Sequence, residues 1–303
     1  MIVKDVKILT IIVTYNGMKW IDKCLSSIIG SSAHSDIYVV DNCSTDDTVA
    51  YIETNYPNVI IEKSQTNLGF AKANNVGMRY ALDNGYDFVF LLNQDAWVDT
   101  TTLEYLTRTF EDNTNVGIAT PIHLNGSRST LDYGFANCMQ TLFLMDLYAN
   151  ALQHYYQVPF VNAAAWMISR YCLETVGGFD TLLFHHYEED QNYCQRVSYH
   201  SKRIIVNSCC CICHDREQRD WASYEGRDIW KNQNQNSFFK VEWGDINQHI
   251  DIKKKILKNV IRIISFSLAF RWKRAKEYIA ENDLLKQIAE SRKVNEQTGT
   301  SWL

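Results

Sequence analysis

No stretch of the chain approaches the roughly 20 uninterrupted apolar residues that cross a bilayer, so no membrane-spanning helix is expected. There is no G-x-G-x-x-G after the first strand-like run and no G-x-x-x-x-G-K-[ST] anywhere, which leaves a dinucleotide-binding turn or a P-loop unsupported. The run Cys209-Cys210-Cys211-Ile212-Cys213-His214 holds one Cys-x-x-Cys spacing with a His beside it, but no second knuckle exists to complete a structural zinc site. Cysteines 24, 43, 138, 172 and 194 stand singly. The chain shows no internal repeat, no low-complexity segment and no secretory signal. Nine cysteines without such a signal imply reduced thiols, no disulfides and a cytoplasmic location.

What is present is a globular mixture. The 303 residues, 21% charged and 46% hydrophobic, suffice for one large domain or a domain with an extension. A net charge of −5 argues against nucleic acid as the main partner. Charge is unevenly placed, however: from Ile252 to Lys276 there are lysines and arginines but no acid, and they flank the apolar run "VIRIISFSLAF" at 260–270. Such a helix can lie peripherally on an anionic membrane surface, or it can be a terminal helix packed on its own domain; both need only a hydrophobic face.

The first ninety residues alternate apolar runs with helical patterns. "KILTIIVT" (7–14), "DIYVVD" (36–41), "VIIEK" (59–63) and "YDFVFLL" (86–92) read as strands buried in a parallel sheet. Between them, Trp20, Ile21, Cys24, Leu25, Ile28 and Ile29 recur at helical spacing, and "AKANNVGMRYALDNG" reads as a helix stopped near Gly85. Ser44 or Thr45 is expected to cap the helix after the second strand, and Thr101-x-x-Glu104 to form a capping box. Further strands are expected at 116–120, 160–169 and 203–213, with short helices in "RYCLETVGG" and "EEDQNYCQRVSYH" and a mixed insertion from Thr130 to Pro159. The pattern is an α/β, doubly wound sheet. Small apolar thiols suit a buried strand, so packing accounts for the cysteine run without a ligand.

In an open α/β sheet, ligands bind beyond the carboxyl ends of the strands. The polar clusters there are Thr14-Tyr15-Asn16, Asp41-Asn42 and Asn93-Gln94-Asp95. Any one acid after a strand can be a simple turn residue, but three clusters at neighbouring ends point to a site. Asp95 can hold a hard divalent cation, which would take up the charge of a diphosphate.

"TIIVTYNG" (10–17), "DNCSTDDT" (41–48), "NLGFAKANNVGM" (67–78), "LLNQDAWVD" (91–99), "VGGFD" (176–180) and "HYEEDQNYCQR" (186–196) resemble, in order, the motif series of bacterial family 2 glycosyltransferases with the GT-A fold. The series covers roughly the first 215 residues, and "LLNQDA" most resembles the rhamnosyltransferase-like branch that builds O-antigen and capsule polysaccharides. The resemblance implies a GT-A catalytic domain over 1–220, with a nucleotide-binding half (1–99) and an acceptor half (100–220), followed by a helical extension over 221–303.

It further implies that Thr14, Tyr15, Asn16 and Asp41 hold the base and ribose of a nucleotide-diphosphate sugar, with Asn67, Gly69 and Asn74 in the loop beside the nucleotide. Asp95 matches the last acid of the D-x-D metal motif, and Asn93 stands where the first acid is often found, leaving one carboxylate for a Mn or Mg ion. Asp190 matches the catalytic acid of the "ED" motif, and Asn192 replaces its following acid; the alternative register makes Glu189 the base. His214, at the end of a late strand, is either a metal ligand or a satisfied core histidine. Trp166, Tyr187, His185 and His186 are expected on the acceptor side, where an aromatic plane suits the face of a sugar ring, or else in the core. The implied acceptor is a saccharide or a lipid-linked saccharide. A sugar nucleotidyltransferase would show a Gly-rich basic loop where this chain has "TYNGMKW"; an inactive carbohydrate-binding protein on the same fold stays open at this level.

Overall fold

A computed structural model describes residues 6–185, 187–217 and 236–303. His186 and the expected domain boundary at 220 lie outside the described residues.

Strand β1 (Ile8–Thr14) is buried on both faces, and its alternating side chains enter two different cores. Leu9 and Ile11 pack beneath helix α3 (Gly69–Asp83), while Ile8 and Ile12 pack with Ile21, Cys24, Leu25 and Ile28 of α1 (Ile21–Ile29). Parallel strands β2 (Asp36–Asp41), β3 (Ile60–Lys63) and β4 (Phe88–Leu92) complete this half, joined by α1, α2 (Thr48–Asn55) and α3. The helical crossovers expected from periodicity are all here. The register sets Thr14 opposite Asp41, and Asp41 opposite Lys63, so the strand ends form one rim.

The parallel order breaks beyond β4. There β8 (Ala165–Ser169) runs antiparallel between β4 and β6 (Val116–Asn125), and β6 pairs in parallel with β9 (Arg203–His214). The short β5 (Ala96–Val98) and β7 (Tyr155–Gln157), neither foreseen, pair antiparallel with β9. Among the described residues the nine strands make one sheet, ordered β3-β2-β1-β4-β8-β6-β9-β5 with β7 off the path.

Three local expectations are corrected. The helix after β2 starts at Thr48 rather than after Ser44 or Thr45, because Asp46 accepts from both the Thr48 amide (3.1 Å) and its hydroxyl (2.5 Å). Thr101 is the N-cap of α4 (Thr102–Asp112) but makes no side-chain cap bond; Glu104 instead pairs with Arg108 and accepts from Ser32 Oγ. Residues 160–164 are not strand, since the chain turns at Asn162–Ala164 before entering β8. Within 130–159, α5 (Tyr133–Cys138) and α6 (Thr141–Tyr148) precede β7.

The cysteine run lies in β9, where its pairing with β6 jumps from Pro121↔Asn207 to Ile122↔Cys211. All nine cysteines are free thiols, and burial pushes the Cys211 thiol up to about 12 and that of Cys210 well above its ordinary value. Thiols held protonated in this way are poor metal ligands.

Helix α7 (Arg170–Val176) leads into the "GGFD" turn and α8 (Glu189–Tyr199) follows it. That turn is clasped by the C-terminal helices α9 (Ser237–Gly244), α10 (Ile252–Leu268) and α11 (Trp272–Asn295) and the tail after them. The fully buried Asp180 carboxylate accepts from Ser291 Oγ (2.5 Å), Asn295 Nδ2 (3.1 Å) and the Leu182 and Leu183 amides. Gly178 N donates to Ser301 O (2.8 Å), and Asn75 Nδ2 reaches both Phe179 O and Trp302 O. Leu183 and Phe184 share an apolar cluster with Val241, Ile252, Leu285 and Ile288. A buried carboxylate needs this many donors to be tolerated, so the last helix is tied to the turn between α7 and α8.

Candidate active site

The site lies where β1 and β4 diverge, the switch point of the parallel half. Gln94, just past β4, spans the gap: its Oε1 accepts from Thr14 Oγ1 (2.6 Å) and Tyr15 N (3.0 Å), and its Nε2 donates to Tyr15 O (3.2 Å). This brace fixes the "TYN" turn. Asn16, with φ +48°, accepts from Thr45 N (2.8 Å), and Asp41 accepts from Ser44 N. Thr14 and Asp41 are buried, whereas Tyr15 is exposed at the rim. Asn42 and Asn67 tie the next loop: Asn67 Oδ1 accepts from Asn42 Nδ2 (2.8 Å) and Gly69 N (2.9 Å). Gly69 has φ +77°, and a Cβ there would meet the His185 carbonyl oxygen at 2.2 Å, so glycine permits both the turn and the approach of the loop before α8.

On the other side of the crevice, the antiparallel register Ala96↔His214 sets Asp95 beside the imidazole. His214 is fully buried; its Nε2 lies 3.3 Å from Asp95 Oδ1 and 3.3 Å from Asn93 Nδ2. Its Nδ1 accepts from Arg216 Nε (3.2 Å) and lies 3.6 Å from Asp132 Oδ2, and Arg216 Nε also lies 3.2 Å from that carboxylate. Asp132 caps α5 by accepting from Phe135 N, which holds it in place.

Asp190 enters from the first turn of α8. Its Oδ2 accepts from Ala163 N (3.3 Å) and its Oδ1 from Gln191 N (2.8 Å). The neighbouring Ala164 carbonyl accepts from Asn93 N (3.0 Å), so one short turn, 162–164, ties the Asp190 side to the Asn93–Asp95 side. Burial raises the Asp190 carboxyl above the ordinary range, opposed by those amide donors and by the positive charge of Arg216. Arg216 therefore stands in the electrostatic field of both halves of the site.

Glu189 differs sharply from its neighbour. It is 6% exposed, its Oε2 has no hydrogen-bond partner, and burial first, then the Asp190 charge, pushes its carboxyl up to about 8. Folded, it holds its proton through neutral pH, whereas the unfolded carboxyl releases it near 4.5. The unfolded state thus binds fewer protons between these values, so stability is full below about 4.5 and is lost as pH rises through about 8. Glu189→Gln is expected to flatten the fall of Tm across this window. Parallel Tm–pH curves for the two proteins would contradict it.

Two expected contacts are corrected. Trp166 is fully buried with its ring stacked on Phe179 at 6.1 Å and tilted against Tyr193, so it is core, out of reach of a sugar. Asn74 is buried in α3 and donates to Phe70 O (3.0 Å), which makes it part of the helix under the loop. Tyr187 and Glu188 both have φ near +68°, marking a strained turn immediately before α8, and His185 lies exposed on the same loop. Asp132 and Arg216 carry much of the geometry without having been named from the sequence, and Gln94 and Asn42 were named only as members of the strand-end clusters. Gln94 lay inside "LLNQDA" and Arg216 two residues beyond His214, on the same side of an extended chain; Asp132 sits in the aperiodic insertion and gave no signal.

Comparison with known proteins bears on this arrangement. The family model for Glycosyl transferase family 2 matches residues 10–177, more than half the chain. The chain belongs to glycosyl transferase family 2. The chain is 28% identical over 194 residues to the dTDP-rhamnosyl transferase RfbF of Shigella flexneri, a match covering 62% of each chain. It is 36% identical over 78 residues to the glycosyltransferase SunS of the Bacillus subtilis SPbeta prophage, of which that stretch covers 18%. The chain thus spans less than two thirds of the curated relatives it matches. Its fold is similar to that of S. aureus TarS residues 1–349 in complex with UDP, with a TM-score of 0.54, 18% identity, and coverage of 96% of this chain and 89% of that one. It is also similar to GalNAc-T7 with UDP, GalNAc and Mn2+, with a TM-score of 0.56, 12% identity, and coverage of 70% and 44%. The GT-A fold of this family member follows from that likeness together with its mixed sheet.

Proposed function

We propose that this enzyme moves a sugar, rhamnose by analogy with RfbF, from a nucleotide-diphosphate donor to a saccharide or lipid-linked saccharide, with inversion at the anomeric carbon. The observation that carries it is the meeting of Asp190, Arg216 and the Asp95–His214 pair around one turn, 162–164. The acceptor hydroxyl would give its proton to Asp190 as its oxygen attacks the anomeric carbon, and the bond to the diphosphate breaks on the opposite face. The carboxyl of Asp190, half-buried and held by two amide donors, is aimed and partly desolvated for that task. Glu189, buried with no partner on Oε2 and with its carboxyl pushed up by that burial, fits the role of base less well.

A divalent cation would fit Asp95 and His214: ligand atoms sharing one ion at about 2.1 Å lie about 3 Å apart, close to the 3.3 Å separating Oδ1 and Nε2. An ion on Nε2 would shift the imidazole proton to Nδ1, so Arg216 Nε would give up its bond to Nδ1 and keep its pairing with Asp132, whose carboxylate 3.6 Å away faces the proton as carboxylates do for metal-bound histidines. Among the described residues no three His, Cys, Asp or Glu side chains form a closed cage, so such an ion would complete its shell with diphosphate oxygens and water. The chemistry a Mn or Mg ion supplies is neutralisation of the leaving diphosphate. On the protein's side, Arg216 adds a fixed positive charge, Gln94 and Asn42 hold the loops expected around the base and ribose, and the rim residue Tyr15 offers an exposed ring. A lipid-borne acceptor would be met at a membrane, so the reading includes peripheral contact through 252–276 on the inner face of the plasma membrane.

The test is a thermal-shift screen of nucleotide diphosphates and their sugars with and without Mn2+. Ligand at 100 times its Kd stabilises the folded state by about 2.7 kcal/mol, so a rise in Tm with UDP or dTDP that deepens with Mn2+ is expected. No shift with any nucleotide would favour an inactive protein on this fold.

A further inference from the structure

We propose that the α10–α11 hairpin is an anionic-lipid docking surface whose tip, Phe270–Arg274, enters the interface of a bilayer. This deepens the reading of a lipid-borne acceptor and rests on it only for the biological source of the membrane. The two helices of the hairpin meet through a mixed seam: the fully buried Asn259 donates to Asn282 Oδ1 (3.0 Å), Lys255 pairs with Glu281 (2.7 Å), Phe266 stacks on Tyr278, and Ile252, Leu285 and Ile288 turn toward the domain. A second apolar row on the first of these helices faces outward. Leu257, Ile261, Ile264 and Leu268 fall at helical spacing and are 62%, 61%, 55% and 77% exposed.

The tip sharpens the case. Helix α10 ends with Phe270 N donating to Ser267 O and Arg271 N to Phe266 O, a reversal that places residue 270 in the left-handed region (φ +56°). Glycine is the residue suited to that position, yet the chain has a Phe there, and its ring is 81% exposed. Internal stability does not account for a strained, solvated aromatic. Trp272 is exposed beside it, and Phe270, Arg271, Trp272, Lys273 and Arg274 line a shallow hollow. Two aromatics around three cationic side chains suit the interfacial level of a bilayer, with lipid phosphates in the hollow.

The occupant follows from charge. No acid lies between Ile252 and Lys276, whereas Lys253, Lys254, Lys258 and Arg262 are exposed along the same helix as the apolar ridge. A second copy would bring like charges together, while an anionic lipid surface complements both ridge and bases. No described helix is long and apolar enough to cross a membrane, so the contact is a lateral one.

The full chain should sediment with phosphatidylglycerol-containing vesicles, less with phosphatidylcholine alone, and less again at high salt. Phe270→Gly should keep or raise Tm, because it relieves the left-handed position, while weakening vesicle binding about tenfold through loss of the buried ring. A triple variant, Arg271→Gln with Lys273→Gln and Arg274→Gln, should lose the preference for anionic vesicles. Absence of vesicle binding, equal binding by Phe270→Gly, or a dimer of the free protein that dissociates on this substitution would each overturn the proposal. Nucleotide-induced thermal shifts keep the two readings apart. A protein that binds nucleotide but no vesicles refutes the surface alone, and one that binds vesicles but no nucleotide refutes the catalytic reading alone.

Discussion

Asp190→Asn is expected to lower kcat for sugar transfer by about 10²–10⁴, the usual worth of a positioned general base, while leaving nucleotide binding nearly intact. The substitution is close to isosteric. Its amide oxygen can still accept one of the two bonds from Ala163 N and Gln191 N that hold the native side chain, and it removes only the capacity to take a proton. The companion variant Glu189→Gln should retain turnover, since that carboxyl is buried and already protonated at neutral pH. Burial raises Asp190 above the ordinary carboxylate range. The base must be ionised, so kcat/KM of the native enzyme should fall with acid at a pH above that of an ordinary carboxylate, and this limb should vanish from the residual activity of Asp190→Asn. Normal turnover in Asp190→Asn, or its loss in Glu189→Gln, would transfer the role to the neighbouring acid.

Removing Asp95 should act on binding rather than proton transfer. Asp95→Ala is expected to weaken Mn2+-dependent nucleotide binding by at least about 10–100-fold, a cost seen even when an outer partner of a metal ligand is lost. In the native chain, Asp95 supplies the carboxylate facing His214 Nε2, and the backbone bond from Asp215 N to Asp95 O keeps that pair aligned. The measurement is calorimetric titration of UDP or dTDP with and without Mn2+. Metal-independent affinity should barely change, because Gln94, Thr14 and Asp41 stay where they are. An unchanged Mn2+ dependence would remove Asp95 from the site's cation chemistry.

Both predictions concern acids readable as candidates from their motifs, but the reasons for their difference are not readable there. In "EEDQ" three consecutive acids look alike; folding turns Glu189 into an unpartnered pocket and Asp190 toward the Ala163 amide. Trp166 and Asn74 misled for a related reason. A motif fixes which residues are near a site, whereas the face on which a side chain emerges depends on strand pairing and helix phase, and β8 and α3 turn these two inward. Asp132 shows the opposite failure. It belongs to an insertion without periodicity, and it meets His214 only because α5 folds back across the end of β9. The C-terminal hairpin is a third case: the same amphipathic pattern serves equally for packing or for lipid, and only the burial of Ile252, Asn259, Asn282, Leu285 and Ile288 shows which face is turned inward.

By itself, the sequence determined the order and type of the elements in the parallel half, the rim of polar residues at its strand ends and the family, because apolar periodicity and short motifs are local properties of the chain. Tertiary structure alone decided the antiparallel insertion of β8, the partnership of His214 with Asp95, Asp132 and Arg216, and the different surroundings of two adjacent acids. Each of these depends on register between segments distant in the chain, and burial and charge, which set a side chain's chemistry, exist only once those segments have met.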